Sequence, residues 1–90
     1  MSRKTIWKFP INVVGHGFIA MPKGAEILTV QTQDDAPFIW AVVNPDAEKE
    51  DRYFEVYGTG HPIYQDMGVN RKYIGTFQQP PLVWHLFERL

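Results

Sequence analysis

The groups best suited to chemistry lie in the stretch Phe54-Glu55-Val56-Tyr57-Gly58-Thr59-Gly60-His61-Pro62. A hydroxyl, Thr59, stands between two glycines and is followed by an imidazole, His61, and a proline. The first residues have the composition of a strand. Gly58 and Gly60 allow close backbone approach or positive φ, and Pro62 forbids the strand from continuing. Thr59 and His61 therefore sit where a rigid strand passes into a loop, a frequent place for binding groups. Without a function, the same residues are a strand end with a tight bend.

Nucleophilic and metal chemistry is poorly supplied. Cysteine is absent and the only serine is Ser2, beside the terminus, which rules out Cys–His catalysis and argues against a Ser–His–acid triad. His16, His61 and His85 are not spaced as a ligand pair on one strand or helix, and no acid adjoins them, so no metal site is expected. His85, between Trp84 and Leu86, reads as a packed histidine satisfied by backbone. A hydrolase or metal enzyme using His61, His16 and an acid such as Asp66 is the weakest reading. Gly58-Thr59-Gly60 lacks the third glycine of a dinucleotide fingerprint. Neither a catalytic residue nor a cofactor is expected.

Binding chemistry is better supplied. Trp40, Tyr57, Tyr73 and Trp84 offer faces for stacking, and stacking is worth about 1–3 kcal/mol per base. Gln31, Gln33 and Gln78 can read base edges or riboses. Lys4, Lys8, Arg52, Arg71 and Lys72 can meet phosphates, the arginines in bidentate fashion. The candidate ligand site is Trp40 for stacking, Arg71 for charge, Thr59 and His61 for hydrogen bonds at the bend, and Tyr57 and Gln78 beside them. Each has a structural alternative: tryptophans fill small cores, and strand glutamines are commonly just the solvated face.

The elements that must position these groups are strands. From Thr5 the chain alternates, with Trp7, Phe9 and Ile11 on one side, and Pro10 marks an edge or a strand end. Residues 18–21 suit a short strand. Pro22-Lys23-Gly24 predicts a type I turn with Pro22 second and Gly24 fourth. Residues 26–33 form a strand with Leu28 and Val30 facing the core. Asp34-Asp35-Ala36-Pro37 makes a four-residue hairpin loop into residues 38–43, which are apolar on both faces and so read as buried on both sides. Glu48, Glu50 and Asp51 read as a solvated loop tip, and residues 52–59 as the next strand. Residues 63–70 show no period and have room for one helical turn. Residues 72–78 form a strand, Gln79-Pro80-Pro81 a stiff connection with an extended lead-in, and residues 82–87 a last strand, preferred over a short helix. Tyr57-Gly58-Thr59 and Ile74-Gly75-Thr76 echo each other weakly, as chance allows. Six or seven short strands predict an all-β fold, a small antiparallel β-sandwich or barrel.

Ninety residues, 44% hydrophobic and 14% aromatic, predict a single domain over residues 1–90, near the size at which oligomerisation often adds stability. A net charge of −1 argues against general DNA or RNA binding, which needs a basic stripe. No apolar run is long enough to span a membrane, and the basic start at Arg3-Lys4 is not followed by a signal-peptide core. The two-faced strand and the aromatic stretch 84–87 predict a homo-oligomer, a dimer or tetramer.

Several motifs resemble a family of small phage proteins catalogued as a domain of unknown function. They are Met21-Pro22-Lys23-Gly24-Ala25-Glu26-Ile27-Leu28, Ile39-Trp40-Ala41-Val42-Val43, Gly58-Thr59-Gly60-His61, Tyr73-Ile74-Gly75-Thr76-Phe77-Gln78 and Val83-Trp84-His85-Leu86-Phe87-Glu88. The resemblance runs from Thr5 to Arg89. It extends to phage sponge proteins that sequester the cyclic-nucleotide signals of CBASS- or Thoeris-type immunity. It implies a protein of the infected host's cytoplasm that binds a cyclic dinucleotide, a cyclic oligonucleotide or a cyclic ADP-ribose-like messenger without degrading it. Such proteins are small oligomers with pockets built partly between subunits. The alternative is a small phage structural or inhibitor protein that grips a protein partner through a sheet edge or apolar patch.

Overall fold

The structure, a computed structural model, describes residues 3–12, 16–63 and 69–90. Seven strands run in chain order: β1 (Thr5–Pro10), β2 (His16–Pro22), β3 (Glu26–Gln33), β4 (Ala36–Val43), β5 (Lys49–Gly58), β6 (Arg71–Gln79) and β7 (Leu82–Arg89). They form two antiparallel sheets, β1-β4-β3 and β2-β5-β7-β6, in a small β-sandwich. Among the described residues no helix is long and apolar enough to cross a membrane. The helical turn expected in residues 63–70 falls mostly on residues 64–68, outside the described residues.

Alternation builds the core. Pro37, Ile39, Ala41 and Val43 of β4 point inward and are buried. Phe54 and Val56 of β5, Phe77 of β6 and Leu86 of β7 come from the other sheet, with Met21 and Val30 closing the cluster. Arg52, at the end of this core, forms a bidentate pair with the buried Glu88 across the β5–β7 ladder, and its second terminal nitrogen donates to the Ala25 carbonyl at 2.7 Å. The hydrogen bonds that Arg52 donates to Glu88 raise its pKa, burial opposes them, and the charges of Glu88 and Glu50 add to them. The guanidinium thus stays charged and ties the four-stranded sheet to the lead-in of β3.

Five local expectations are corrected. Ala25 donates to the Pro22 carbonyl at 3.1 Å, and Gly24 has φ of 80°. The turn is therefore type II with Pro22 first and Gly24 third, the position that needs positive φ. The β3–β4 hairpin closes in two residues, not four: Gln33 pairs with Ala36, and Asp34 and Asp35 both take positive φ, the type I′ pattern that matches strand twist. A bulge between Ile27 and Thr29 reverses the side-chain phase, so Leu28 is exposed while Ile27 packs on the core. Glu50 and Asp51 are not in a loop; they pair with Met21 and Ala20 at the start of β5. Pro80 and Pro81, joined by a cis peptide, are the two-residue turn of the β6–β7 hairpin.

The expectation that residues 38–43 are buried on both faces is also corrected. β4 is central in its sheet, yet Phe38, Trp40 and Val42 face outward, half-buried, with Ile6 exposed beside them. Among the described residues no further strand packs on this outer face. The ammonium of Lys8 lies 4.6 Å from the Phe38 ring centre and 5.8 Å from that of Trp40, and donates to Gln33 at 2.5 Å.

The two sheets meet where β3 approaches β6. A Cβ on Gly75 would lie 2.9 Å from Val30 Cγ1, closer than real contacts allow. Gly75→Ala should therefore push a buried valine and destabilise the fold by about 1–3 kcal/mol, the usual cost of overpacking. Urea unfolding will measure it; an unchanged midpoint would mean the two strands yield freely at this contact.

Candidate functional site

The outer face of the four-stranded sheet carries the densest chemistry. Register fixes its rows. Phe18, Tyr53, Arg89 and Arg71 lie side by side across β2, β5, β7 and β6. The next row is His16, Glu55, Phe87 and Tyr73, and the third is Tyr57, His85 and Thr76. In each strand these alternate with the inward residues that fill the core, so the sheet that buries Phe54, Val56 and Leu86 must display the aromatic and charged set.

Glu55 is 5% exposed although it lies on this outer face. Arg71 reaches across β7 from β6 and donates from Nε to Glu55 Oε1 at 2.5 Å, and the Tyr57 hydroxyl donates to Oε2 at 3.0 Å. Arg89 Nε is 3.8 Å from Oε2, and the Arg89 guanidinium lies 5.1 Å from the Tyr53 ring centre. Burial pushes the Glu55 carboxyl up, but hydrogen bonds from Arg71 and Tyr57 and the charges of both arginines outweigh it and hold the pKa below its usual value. Burial and the neighbouring carboxylate raise the Tyr57 phenol. The centre therefore gathers two guanidiniums around one buried carboxylate. A cleft of about 380 Å³ opens on it, lined by His16, Tyr53, Glu55, Tyr57, Pro62, Arg71 and Arg89.

Aromatic rings flank this centre. His16 stacks on Tyr53 at 5.5 Å and hydrogen-bonds its hydroxyl through Nδ1, while Phe18 meets Tyr53 edge-on at 4.7 Å. On the other side Phe87 packs against Tyr57 at 5.9 Å and Tyr73 at 5.4 Å.

The bend divides its two groups between the faces of the sheet. Thr59 turns to the outer face, where Oγ1 lies 2.7 Å from His85 Nε2; the other ring nitrogen, Nδ1, lies 2.9 Å from Thr76 Oγ1, which also bonds the Tyr73 hydroxyl. The echo between Tyr57-Gly58-Thr59 and Ile74-Gly75-Thr76 thus acquires a structural role, because β5 and β6 flank β7 and each lends its threonine to one nitrogen of His85. In a neutral imidazole one nitrogen donates and the other accepts, so the two hydroxyls take opposite roles. His85 is satisfied by side chains, not by backbone as expected. His61 lies on the opposite side: its ring fills the space beside Gly58, where a Cβ would lie 2.6 Å from Cε1, and meets the Trp84 ring edge-on at 6.0 Å. Only a glycine at position 58 allows that approach.

Of the six residues expected to bind, Tyr57, Thr59 and Arg71 share the outer face of the four-stranded sheet. His61 belongs to the inner rim. Gln78 lines a groove of about 480 Å³ between β3 and β6. Trp40 is on the outer face of the other sheet, so within one chain it cannot stack on a ligand held by Tyr57 and Arg71. Trp84 packs against the core. The sequence reading missed Glu55, Arg89, Tyr53, Phe18 and Phe87. A period-two signal was present: Tyr53, Glu55 and Tyr57, and His85, Phe87 and Arg89, show outward positions that are aromatic and charged where a merely solvated face would be plainly polar. Among the described residues no group of three or more His, Asp or Glu side chains is placed to hold a metal ion. His16, His61 and His85 have separate partners, and Asp66 is outside the described residues.

No curated protein and no solved structure matches the chain significantly. A family model for a domain of unknown function does match, over residues 2–90, which is nearly the whole sequence. The chain belongs to the family defined by the domain of unknown function DUF7352.

Proposed function

We propose that this protein is a phage anti-defence sponge of the anti-CBASS or anti-Thoeris kind, which sequesters a cyclic-nucleotide messenger in the cytoplasm of an infected bacterium and does not degrade it. The observation that carries the reading is the convergence of Arg71 and Arg89 on Glu55 within an aromatic sheet face. Guanidiniums meet phosphates in fork geometry, tyrosine and phenylalanine rings stack on bases, and the Thr59–His85–Thr76 chain supplies hydroxyls for ribose or phosphate. A face that binds and releases its ligand intact needs no nucleophile.

Thermal shift and titration calorimetry against a panel of cyclic nucleotides test the proposal. A ligand at 100 times its Kd should add about 2.7 kcal/mol to apparent stability, and mass spectrometry after denaturation should return it unchanged. Thr59→Val keeps the bend and removes the hydroxyl that touches His85, so binding should weaken by about 1–3 kcal/mol without ligand-free destabilisation of similar size. His61→Ala, on the inner rim, should weaken it less. If the whole panel leaves the melting temperature unmoved, the nucleotide reading fails.

The second reading, a phage structural or inhibitor protein with a protein partner, draws on the uncovered face of Ile6, Phe38, Trp40 and Val42. The occupant we propose for that face is a second copy of the chain; a foreign protein seated there is the outcome that would favour the second reading instead. Lys8 and Glu26 flank the apolar centre with opposite charges, a pattern that a two-fold contact can pair.

A further inference from the structure

We infer that the free edge of β2 docks an extended segment of another protein, which adds as a further strand to the four-stranded sheet, sets one large apolar side chain in a hole beneath Gly17 and offers Lys or Arg to Asp51. The inference does not depend on the nucleotide reading, which concerns the outer face of the sheet. The two sheets have four margins, β1, β3, β2 and β6. Unpaired edges recruit other strands, and bulges, lysine, proline or a covering element blunt them. β3 and β6 are each bulged and meet where Gly75 approaches Val30, and Gln79 Nε2 donates to the Asp35 carbonyl at 3.3 Å. β1 carries Lys8 and Pro10. β2 is different. It contains no Lys, Arg, Asp or Glu, its one proline is its last residue, and all seven positions pair with β5 without a shift. Phe18 on this strand is 67% exposed.

Gly17 marks where such a strand seats. It pairs with the inward Phe54, its φ is not positive, and a Cβ there would meet no atom within 4 Å. Neither conformation nor crowding demands glycine at this position. What the glycine leaves is space: a hole of about 210 Å³, lined by Ile11, Ile19, Phe54 and Val56, between β2 and the residues that follow β1. Glycine inside a strand often marks the close approach of another backbone. The hole is smaller than the roughly 300–1,000 Å³ of small-molecule sites and suits one large side chain. In strand addition the main chain binds the edge and alternate side chains fill such pockets. A second copy offering its own β2 does not fill this one, because Ile19 and Met21 are packed in that copy's own core. On the outer side Ala20 is small and exposed, and it pairs with Asp51. Asp51 is exposed and, among the described residues, has no ion-pair partner. A basic side chain of the added strand reaches Asp51 over Ala20, two strand spacings away, about 10 Å.

Fluorescence anisotropy of the whole chain with capped, labelled seven-residue peptides tests the inference. The probe alternates valine, phenylalanine and valine on one side with threonine and lysine on the other. It should bind at or below millimolar concentration and slow hydrogen exchange of the β2 amides. Replacing its phenylalanine by alanine should weaken it about 10- to 150-fold, the burial of one large side chain. N-methylation of its central amides should abolish binding. Gly17→Ile fills the hole from within, so melting should be unchanged or raised while the probe weakens tenfold or more. Asp51→Asn should weaken the lysine probe about 2- to 5-fold and leave a version with threonine in place of lysine unchanged. Trp40→Glu should bind the probe as the parent does. A probe that fails to bind at millimolar concentration, that tolerates N-methylation, or that binds Gly17→Ile as tightly as the parent overturns the inference. Loss of binding in Trp40→Glu also overturns it, because the segment then sits on the other sheet. The changes within the peptide leave the protein untouched and decide the matter even if Gly17→Ile does not fold.

Discussion

Glu55→Ala should destabilise the protein by about 3–5 kcal/mol, the range for breaking a buried ion pair by removing one partner. Glu55 is 5% exposed and accepts from Arg71 and Tyr57 while Arg89 stands 3.8 Å away, so one truncation removes the acceptor around which three side chains are arranged. The effect should depend on pH. Because the folded-state pKa lies below the ordinary 4.5, the carboxylate's contribution is fully present above that value and is lost as the pH falls through the lowered folded value. Chemical unfolding of parent, Glu55→Ala and Glu55→Gln from neutral to acid pH separates the contributions. Glu55→Gln keeps the shape and most hydrogen bonds but cannot titrate, so its stability should change less on acidification than the parent's. If parent and Glu55→Gln lose stability in parallel, Glu55 is not a titrating support of the sheet.

Trp40→Glu should convert a self-associating protein into a monomer with nearly unchanged melting. In the single chain Trp40 faces outward between Phe38 and Val42 and contributes nothing to the core, so a charge there costs the monomer little. Across a two-fold contact the same side chain appears twice, and two carboxylates would be buried against apolar partners, a cost of several kcal/mol. Sedimentation or native mass spectrometry at micromolar concentration should show a dimer or tetramer for the parent and monomer for the variant. A parent that stays monomeric across that range rejects the interface. The outer face of the four-stranded sheet should bind its ligand in both proteins, unless the site is completed by a partner subunit, in which case binding and assembly will fail together.

The strands were legible because each carries the period of two that a half-buried sheet imposes. Val30, Phe54, Val56 and Leu86 fall inward where alternation puts them. Leu28 does not, because a bulge inserts one residue and the phase flips, and nothing in the residue types of β3 announces it. The Asp34–Asp35 turn was misjudged because aspartate tolerates the left-handed region, so a two-residue loop needs no glycine there. The β4 strand misled for a different reason: apolar residues on both sides of a strand describe what the strand would bury, not what the chain has available to bury it. The site was half legible. Tyr57, Thr59 and Arg71 announced themselves by type, but their common carboxylate did not. Glu55 was hidden in a strand whose sequence looks like ordinary alternation, and Arg71 meets it only because β7 brings β5 and β6 within reach of each other.

The pairing order has a kinetic consequence. Among the described residues only β3–β4 and β6–β7 are hairpins of neighbouring strands; β1 must wait for β4, β2 for β5, and β5 for β7. Non-local pairings of this kind delay folding, because loop closure must precede the contacts that reward it. β7 lies between β5 and β6 and supplies His85, Phe87 and Arg89, so during synthesis the four-stranded sheet cannot close until residues 82–89 have left the ribosome. Until then β2 and β5 present an open edge. The three-stranded sheet has all its strands once residue 43 has emerged, so its apolar face is exposed before the second sheet exists.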